Sequence, residues 1–470
     1  MKKVIRGIAF LIIAVMVIIQ VFSVLKWKDT NGDYLSSTRQ LYATEKDLMD
    51  IVFMGSSHCY CGIVPDVLWG DYGYAAFNMT ISGQDKASTY YHLKELLKNQ
   101  SPKIVCVELW GLTYDKHAVE GNVHRNLMAM NLSKNAIGLI QAYADEEEQM
   151  DYILRWPIVH TRYKELKRYD FVPYEYSEYG RGVELSYQIG WSAFPSEAVA
   201  CEEVGELTVT NKEWLENLYR VSEEEDFELV LFFAPTMVDV EQQKQVNAAK
   251  KFAEERGIDF FDFNRLTADV GLDYSRDFID QTHLNGYGAE KLTRYLGTYI
   301  EQKYPLDDHR GDEAYEQWEK SYTHYERTLQ AGTLLSISDP ASYFTILSEL
   351  KDFTYLVSFD GNYKQSTLDL AGYAQILGLT EEQYEKGGTF LFKDGEITHL
   401  LDNESEEIVI YELNECDALK IQNMELVKEN AGALNDVMLN MESVGSIYTG
   451  LNVVVYDDFK KRVIDKKGYY

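Results

Sequence analysis

The chain has 470 residues, 46% of them hydrophobic, enough for two or three domains with ordinary packed cores. Its 45 Lys and Arg stand against 76 Asp and Glu, a formal net charge of −31, so nucleic acid is not expected as a partner because a phosphate backbone would be repelled over most of the surface. The five cysteines, Cys59, Cys61, Cys106, Cys201 and Cys416, are odd in number, and Cys59-x-Cys61 has the wrong spacing for a zinc knuckle; they read as packing residues.

The first element is an apolar run from Ile8 to Leu25, broken only by Gln20 and Ser23. A run of roughly 18 to 20 such residues crosses a bilayer as a helix. Lys2, Lys3 and Arg6 precede it, while Lys26 and Lys28 are followed closely by Asp29 and Asp33, so the positive-inside bias favours a cytoplasmic N-terminus and an extracytoplasmic body. With no small-x-small cleavage site and no lipobox cysteine, residues 1–28 read as a retained single-pass anchor in the cell membrane. Residues 29–47, polar and containing Asn31-Gly-Asp33, read as a tether.

A body over 48–304 then shows the pattern of an α/β domain. Ile51-Val-Phe-Met54 is a buried strand ending in the small-residue break Gly55-Ser56-Ser57, followed by His58. Tyr74–Asn78 reads as a second strand, Ser82-Gly83-Gln84 as a tight turn into a helix, and Ile104–Leu109 as a third strand whose unbroken apolar run suits a parallel sheet. Strand, helix and strand at this spacing imply βαβ units. Residues 113–212, rich in Tyr, Glu and Arg, read as a helical insertion over the crevice, with Asp145-Glu-Glu-Glu148 as a solvated face. Within it His124, Arg125, His160 and Arg162 have the chemistry to line a substrate site, although a structural role is the simpler reading of each.

The sheet resumes with Glu228–Ala234, a helix over Gln242–Arg256 stopped by Gly257, and an edge strand Ile258–Phe263. Asp280 and His283 follow, three residues apart, just before an amphipathic closing helix carrying Ala289, Leu292, Leu296, Tyr299 and Ile300. Residues 305–330 are a charged, Tyr-rich linker, and 331–470 form a second, small α/β or β-rich domain. Its expected strands are Thr354–Asp360, Thr389–Phe392 with the turn Lys393-Asp-Gly395, Ile408–Tyr411, and Leu451–Tyr456.

A serine just past a strand end is aimed at a crevice, with its own N–H free to donate to an oxyanion. Such a serine needs a base, and the strong candidate is His283, with Asp280 to hold its tautomer and stabilise its charged form. Asp-x-x-His alone is also explained by helix capping; coupled to Gly-Ser-Ser at a strand end, the catalytic reading is preferred. No Walker motif, dinucleotide fingerprint or His-rich metal site appears in the sequence, so the expected chemistry is cofactor-free acyl transfer through an acyl-serine.

On the Gly55-Ser56-Ser57 turn and Asp280-x-x-His283-Leu-Asn, the chain resembles the SGNH (GDSL-like) hydrolase superfamily, and within it the membrane-anchored DltD-like and O-acyltransferase-like branch. The resemblance implies a three-layer, flavodoxin-like domain, Ser57 as nucleophile with Ser56 as second choice, and Ser57 and Gly83 N–H as oxyanion donors. The family's third donor, an asparagine after the third strand, is replaced here by Glu108-Leu-Trp-Gly111. Ser56, His58, Arg125 and His160 are further candidates for substrate binding, with a local hydrogen bond to the loop the preferred reading of His58. Gly450–Asp457 and Arg462–Asp465 resemble the interleukin-like EMT-inducer domain, which implies a ligand-binding module for the C-terminal part. Together these imply an esterase or O-acyltransferase acting on envelope polysaccharide or a teichoic-acid-like polymer, with an acyl-delivering membrane protein as partner. The competing expectation is a non-catalytic glycan-binding or assembly protein on a degenerate SGNH fold.

Overall fold

The computed structural model describes residues 2–26, 35–113, 126–166, 170–171, 185–350, 353–361, 363–415, 417–424, 434–440, 442–445, 450–458 and 461–469. The chain divides into two units, 1–166 with 176–326, and 167–175 with 327–470.

The first unit opens with the helix Lys2–Leu25. Within it Val4–Leu25 is long and apolar enough to cross a membrane, with a mean hydropathy of 3.0. The tether expected over 29–47 is not extended throughout. Leu35–Ala43 is a helix, and Thr38 and Leu41 are buried, so this stretch belongs to the body.

The centre of the unit is a five-stranded sheet of β1 (Ile51–Gly55), β2 (Ala76–Thr80), β3 (Ile104–Glu108), β4 (Glu228–Phe233) and β5 (Asp259–Asp262). Every pairing is parallel, and the order is β2-β1-β3-β4-β5, the flavodoxin-like arrangement. All five residues are buried in each of β1, β2 and β3, which suits the nearly continuous apolar runs of β1 and β3; β2 buries Asn78 and Thr80 as well.

Alternate side chains serve the two faces. Val52, Met54, Val105, Val107, Leu229 and Leu231 pack with Leu93, Leu218 and Val246 from helices on one face. Ile51, Phe53, Ile104, Cys106, Val230 and Phe232 pack with Leu68, Leu292 and Leu296 on the other. The result is the expected three layers. Among the described residues of the insertion, helices occur within 126–166, at Ser196–Val199 and from Val209 onward, whereas the rest of 185–208 is irregular. The expected linker is also structured: Glu316–Ser336 is one helix, and Trp318, fully buried, donates Nε1–H to the Ala76 carbonyl at 2.9 Å.

The second unit holds two antiparallel sheets. β6 (Phe353–Asp360), β7 (Gly388–Lys393), β8 (Glu396–Leu401), β13 (Gly450–Asp457) and β14 (Arg462–Tyr469) make one, in the order β14-β13-β6-β7-β8. β9 (Ile408–Glu412), β10 (Ala418–Met424), β11 (Leu434–Leu439) and β12 (Glu442–Ser443) make the other. The β7–β8 hairpin turns on Asp394 and Gly395, with φ of 52° and 78°, the positive pair that a two-residue hairpin turn needs and that Asp-Gly supplies. Leu356, Leu391 and Val454 of the first sheet share a core with Ile421 and Val437 of the second.

Candidate active site

In a 2-1-3-4-5 sheet the strand order reverses between β1 and β3, and ligands bind outside the carboxyl ends of the strands at that point. The Gly55-Ser56-Ser57 turn leaves β1 there, and Glu108-Leu-Trp110 leaves β3 beside it. Gly55 has φ of +154°, and a Cβ on it would come within 2.6 Å of Glu108 Cβ. Only glycine lets the end of β1 close over that carboxylate.

Ser56 caps the short helix Ser57–Tyr60, its Oγ accepting the His58 N–H. Ser57 is thus the first helical residue, and its N–H has no acceptor within the helix. The second expected donor, Gly83, sits in a turn closed by Gln84 N–H to the Ile81 carbonyl at 2.9 Å. Its φ of +65° is the positive value that such a turn demands. Ile81 N–H donates to the Gly55 carbonyl at 3.4 Å, tying this turn to the end of β1. Asn126 supports it from the insertion, with Nδ2 at 3.4 Å from the Ser82 carbonyl and Oδ1 accepting from Ser88 Oγ at 2.5 Å.

The other half of the site is a pinned loop. Phe278 and Leu284 form an isolated antiparallel bridge, Ile279 N–H donates to the His283 carbonyl at 2.9 Å, and Asn285 caps the helix Gly286–Lys303. Inside the loop Asp280 Oδ1 accepts from Thr282 N–H at 2.7 Å and His283 N–H at 2.9 Å. Its carboxylate lies 3.0 and 3.1 Å from His283 Nδ1. His283 Nε2 is 2.8 Å from Ser57 Oγ. A carboxylate at Nδ1 fixes the ring proton there and leaves Nε2 to accept the serine hydroxyl. Partial burial works against the Asp280 charge, but the hydrogen bonds from Thr282 and His283 outweigh it and hold its pKa down at about 2.

Beneath this pair is a buried network that the sequence did not reveal. Glu108 accepts the Trp110 N–H at 2.8 Å and lies 3.3 Å from Ser56 Oγ; burial pushes its pKa up to about 8. The His58 ring packs between Trp110, 4.4 Å away, and His283, 4.9 Å away. Burial and the neighbouring His283 bring its pKa down to about 3, so it is neutral.

The expected residues therefore separate. Ser57, Asp280 and His283 come together, with Ser57 half-buried at the surface of the site. Ser56, only 1% exposed, points to Glu108 and His58 rather than to His283, which removes it both as an alternative nucleophile and as a substrate contact. His58 makes the expected local hydrogen bond, 3.1 Å to Ser56 Oγ, and is buried rather than open to a substrate. His160 packs its Nδ1 on the Pro157 carbonyl at 2.6 Å, in a turn lying against the N-terminal helix, and Arg162 bonds the end of that helix. His124 and Arg125 lie outside the described residues. The sequence also missed the strap formed by 186–192. Ser186 and Gly190 bond Gly286 and Phe278 through the backbone at 2.8 Å each, and Ser192 Oγ bonds the Gln281 carbonyl at 3.2 Å. Trp191 is left 61% exposed beside the loop.

No family model matches the chain, and no curated protein matches it. Among solved structures, a Bacteroides fragilis protein assigned to the acylhydrolases is similar to part of it, at 12% identity and a TM-score of 0.29, covering 56% of this chain and 94% of that one. At that level of likeness the geometry of the site, not the neighbour, carries the functional reading.

Proposed function

We propose that the protein is a membrane-anchored serine esterase or O-acyltransferase that works through an acyl-serine. The observation that carries this reading is the chain of contacts from Ser57 Oγ through His283 Nε2 and Nδ1 to Asp280. In the reaction, Ser57 Oγ attacks an ester carbonyl as His283 Nε2 takes its proton, and the imidazolium then returns that proton to the leaving alcohol. The N–H groups of Ser57 and Gly83 are the donors offered to the tetrahedral oxyanion. Water or a sugar hydroxyl, activated by the same histidine, then takes the acyl group from Ser57.

The N-terminal charge pattern supports a body on the outer side of the membrane. The last turn of the N-terminal helix is packed into the body, with Leu25 only 6% exposed, which supports a retained anchor. A cell-envelope polysaccharide or teichoic-acid-like polymer is the substrate that fits this placement, with an acyl-delivering membrane protein as donor partner. An open groove of about 730 Å³ in the second unit, lined by Tyr363, Lys386, Asp402 and Asn403 among others, is where a ligand of that unit would be sought.

A second reading, a non-catalytic surface protein, is favoured by one observation. Glu108-Leu-Trp-Gly111 stands where the resemblance expects the block with the third oxyanion donor, and the Glu108 carboxyl is engaged by Trp110 and Ser56. Missing one donor typically costs about 2.7 to 4 kcal/mol of transition-state stabilisation.

Hydrolysis of p-nitrophenyl acetate by the full chain separates the two readings. Ser57→Ala and His283→Ala are each expected to lower kcat by roughly four orders of magnitude or more with the fold intact. Equal rates in wild type and both variants would reject the assignment.

A further inference from the structure

The end of the N-terminal helix is held by the insertion. Arg162, itself 6% exposed, donates from Nη1 to the carbonyls of Leu25 and Lys26 at 2.8 Å each. This satisfies acceptors that a helix C-terminus leaves open and sets a cation at the negative end of its dipole. The turns Trp156–Val159 and His160–Lys164 pack against the same helix. The Trp156 ring stacks on Phe22, with centroids 6.4 Å apart and planes 25° from parallel.

That contact sets a depth. The 22 residues of Val4–Leu25 make a rod of about 33 Å at the helical rise, against a hydrocarbon core of about 30 Å. Phe22 therefore falls at the outer boundary of the hydrocarbon, and a ring stacked on it lies at the depth where tryptophan is enriched in membrane proteins. The neighbouring surface exposes four large apolar or aromatic side chains: Met150 is 55% exposed, Leu154 60%, Trp156 40% and Tyr163 62%. Met150 and Leu154 lie four apart on the helix Gln149–Leu154 and so share a face.

We propose that this part of the insertion rests in the headgroup–acyl boundary of the bilayer, with Met150, Leu154, Trp156 and Tyr163 as its lipid contacts. It acts as a foot beside the spanning helix and fixes how the first unit stands on the membrane. The inference rests on the reading of the N-terminal helix as a retained anchor. The adjacent acidic run Asp145–Glu148 is exposed and disfavours an anionic surface, so the partner is a zwitterionic lipid interface rather than an acidic one.

The test uses the full chain in phosphatidylcholine vesicles whose acyl chains carry bromine near the headgroup, with tryptophan emission as readout. Trp27, next to the apolar run in sequence, is quenched in any anchored protein. Trp156→Phe keeps a ring for Phe22 and should lose a component of the quenched emission relative to wild type. Leu154→Trp, at a site already exposed, should add one. Identical quenching in wild type and Trp156→Phe, with no gain in Leu154→Trp, would overturn the proposal while leaving the anchor in place. Absence of all quenching, together with release by an alkaline wash, would remove the anchor and the foot with it.

Discussion

Two carboxyl groups near Ser57 are driven in opposite directions by their surroundings. Asp280 accepts hydrogen bonds from Thr282 and His283 and remains charged, whereas Glu108 is fully buried and its pKa is pushed up from 4.5 to about 8. The Glu108 shift makes a testable stability statement. Between about pH 4.5 and about pH 8 the unfolded chain releases a proton that the folded chain keeps, so the stability fully present below the lower value is lost as pH rises through the upper one. Thermal unfolding temperatures of wild type should therefore fall from about pH 5 to about pH 8 relative to Glu108→Gln; parallel curves for the two proteins would contradict the assignment. At this scale the sequence was uneven. Ser57, Asp280 and His283 were legible because a small-residue break after an apolar strand and a carboxylate three residues before a histidine are local patterns. Glu108 was not, because a glutamate ending a strand looks the same whether it meets water or the underside of Gly55.

Elements decide how the base is presented. His283 stands on a loop with pinned ends, clamped by the Phe278–Leu284 bridge and the Asn285 cap, and the strap bonds that loop along its backbone. Trp191, exposed on the strap, offers a flat apolar face of the kind that suits stacking on a sugar ring. Trp191→Ala should raise KM for a polymeric substrate severalfold and leave turnover of p-nitrophenyl acetate unchanged; equal loss on both substrates would mean that the strap only supports the loop. The parallel strands were legible because burial on both faces writes them as apolar runs. The strap was invisible, since several of its bonds run through the backbone and its side-chain bonds go to residues far away in sequence, so neither leaves a local pattern. The tether was misread for a related reason: Thr38 and Gln40 are polar yet buried, so composition pointed to solvent where the chain packs. In the second unit β9 alternates exposed and half-buried residues, with Ile410 70% exposed, and β10 to β12 carry enough polar residues to hide among loops.

The whole molecule carries a net charge of −31, which bears directly on the kind of polymer proposed. Attraction cannot bring an anionic chain to such a surface, and added salt shortens the range of the repulsion. With a teichoic-acid-like acceptor, kcat/KM should rise as ionic strength is raised from low values, while hydrolysis of a small neutral ester stays flat; a fall for the polymer would indicate a cationic or locally attracted substrate instead. The apolar N-terminal helix was readable from composition alone. The central claim is narrower, that one hydroxyl at the end of β1 is made nucleophilic by an imidazole from a distant loop. It is tested most directly by treating the full-length protein with a fluorophosphonate and locating the adduct by peptide mass spectrometry. The account predicts a single modified serine, Ser57, with labelling lost in His283→Ala; modification of Ser56 instead, or no labelled serine at all, would contradict it.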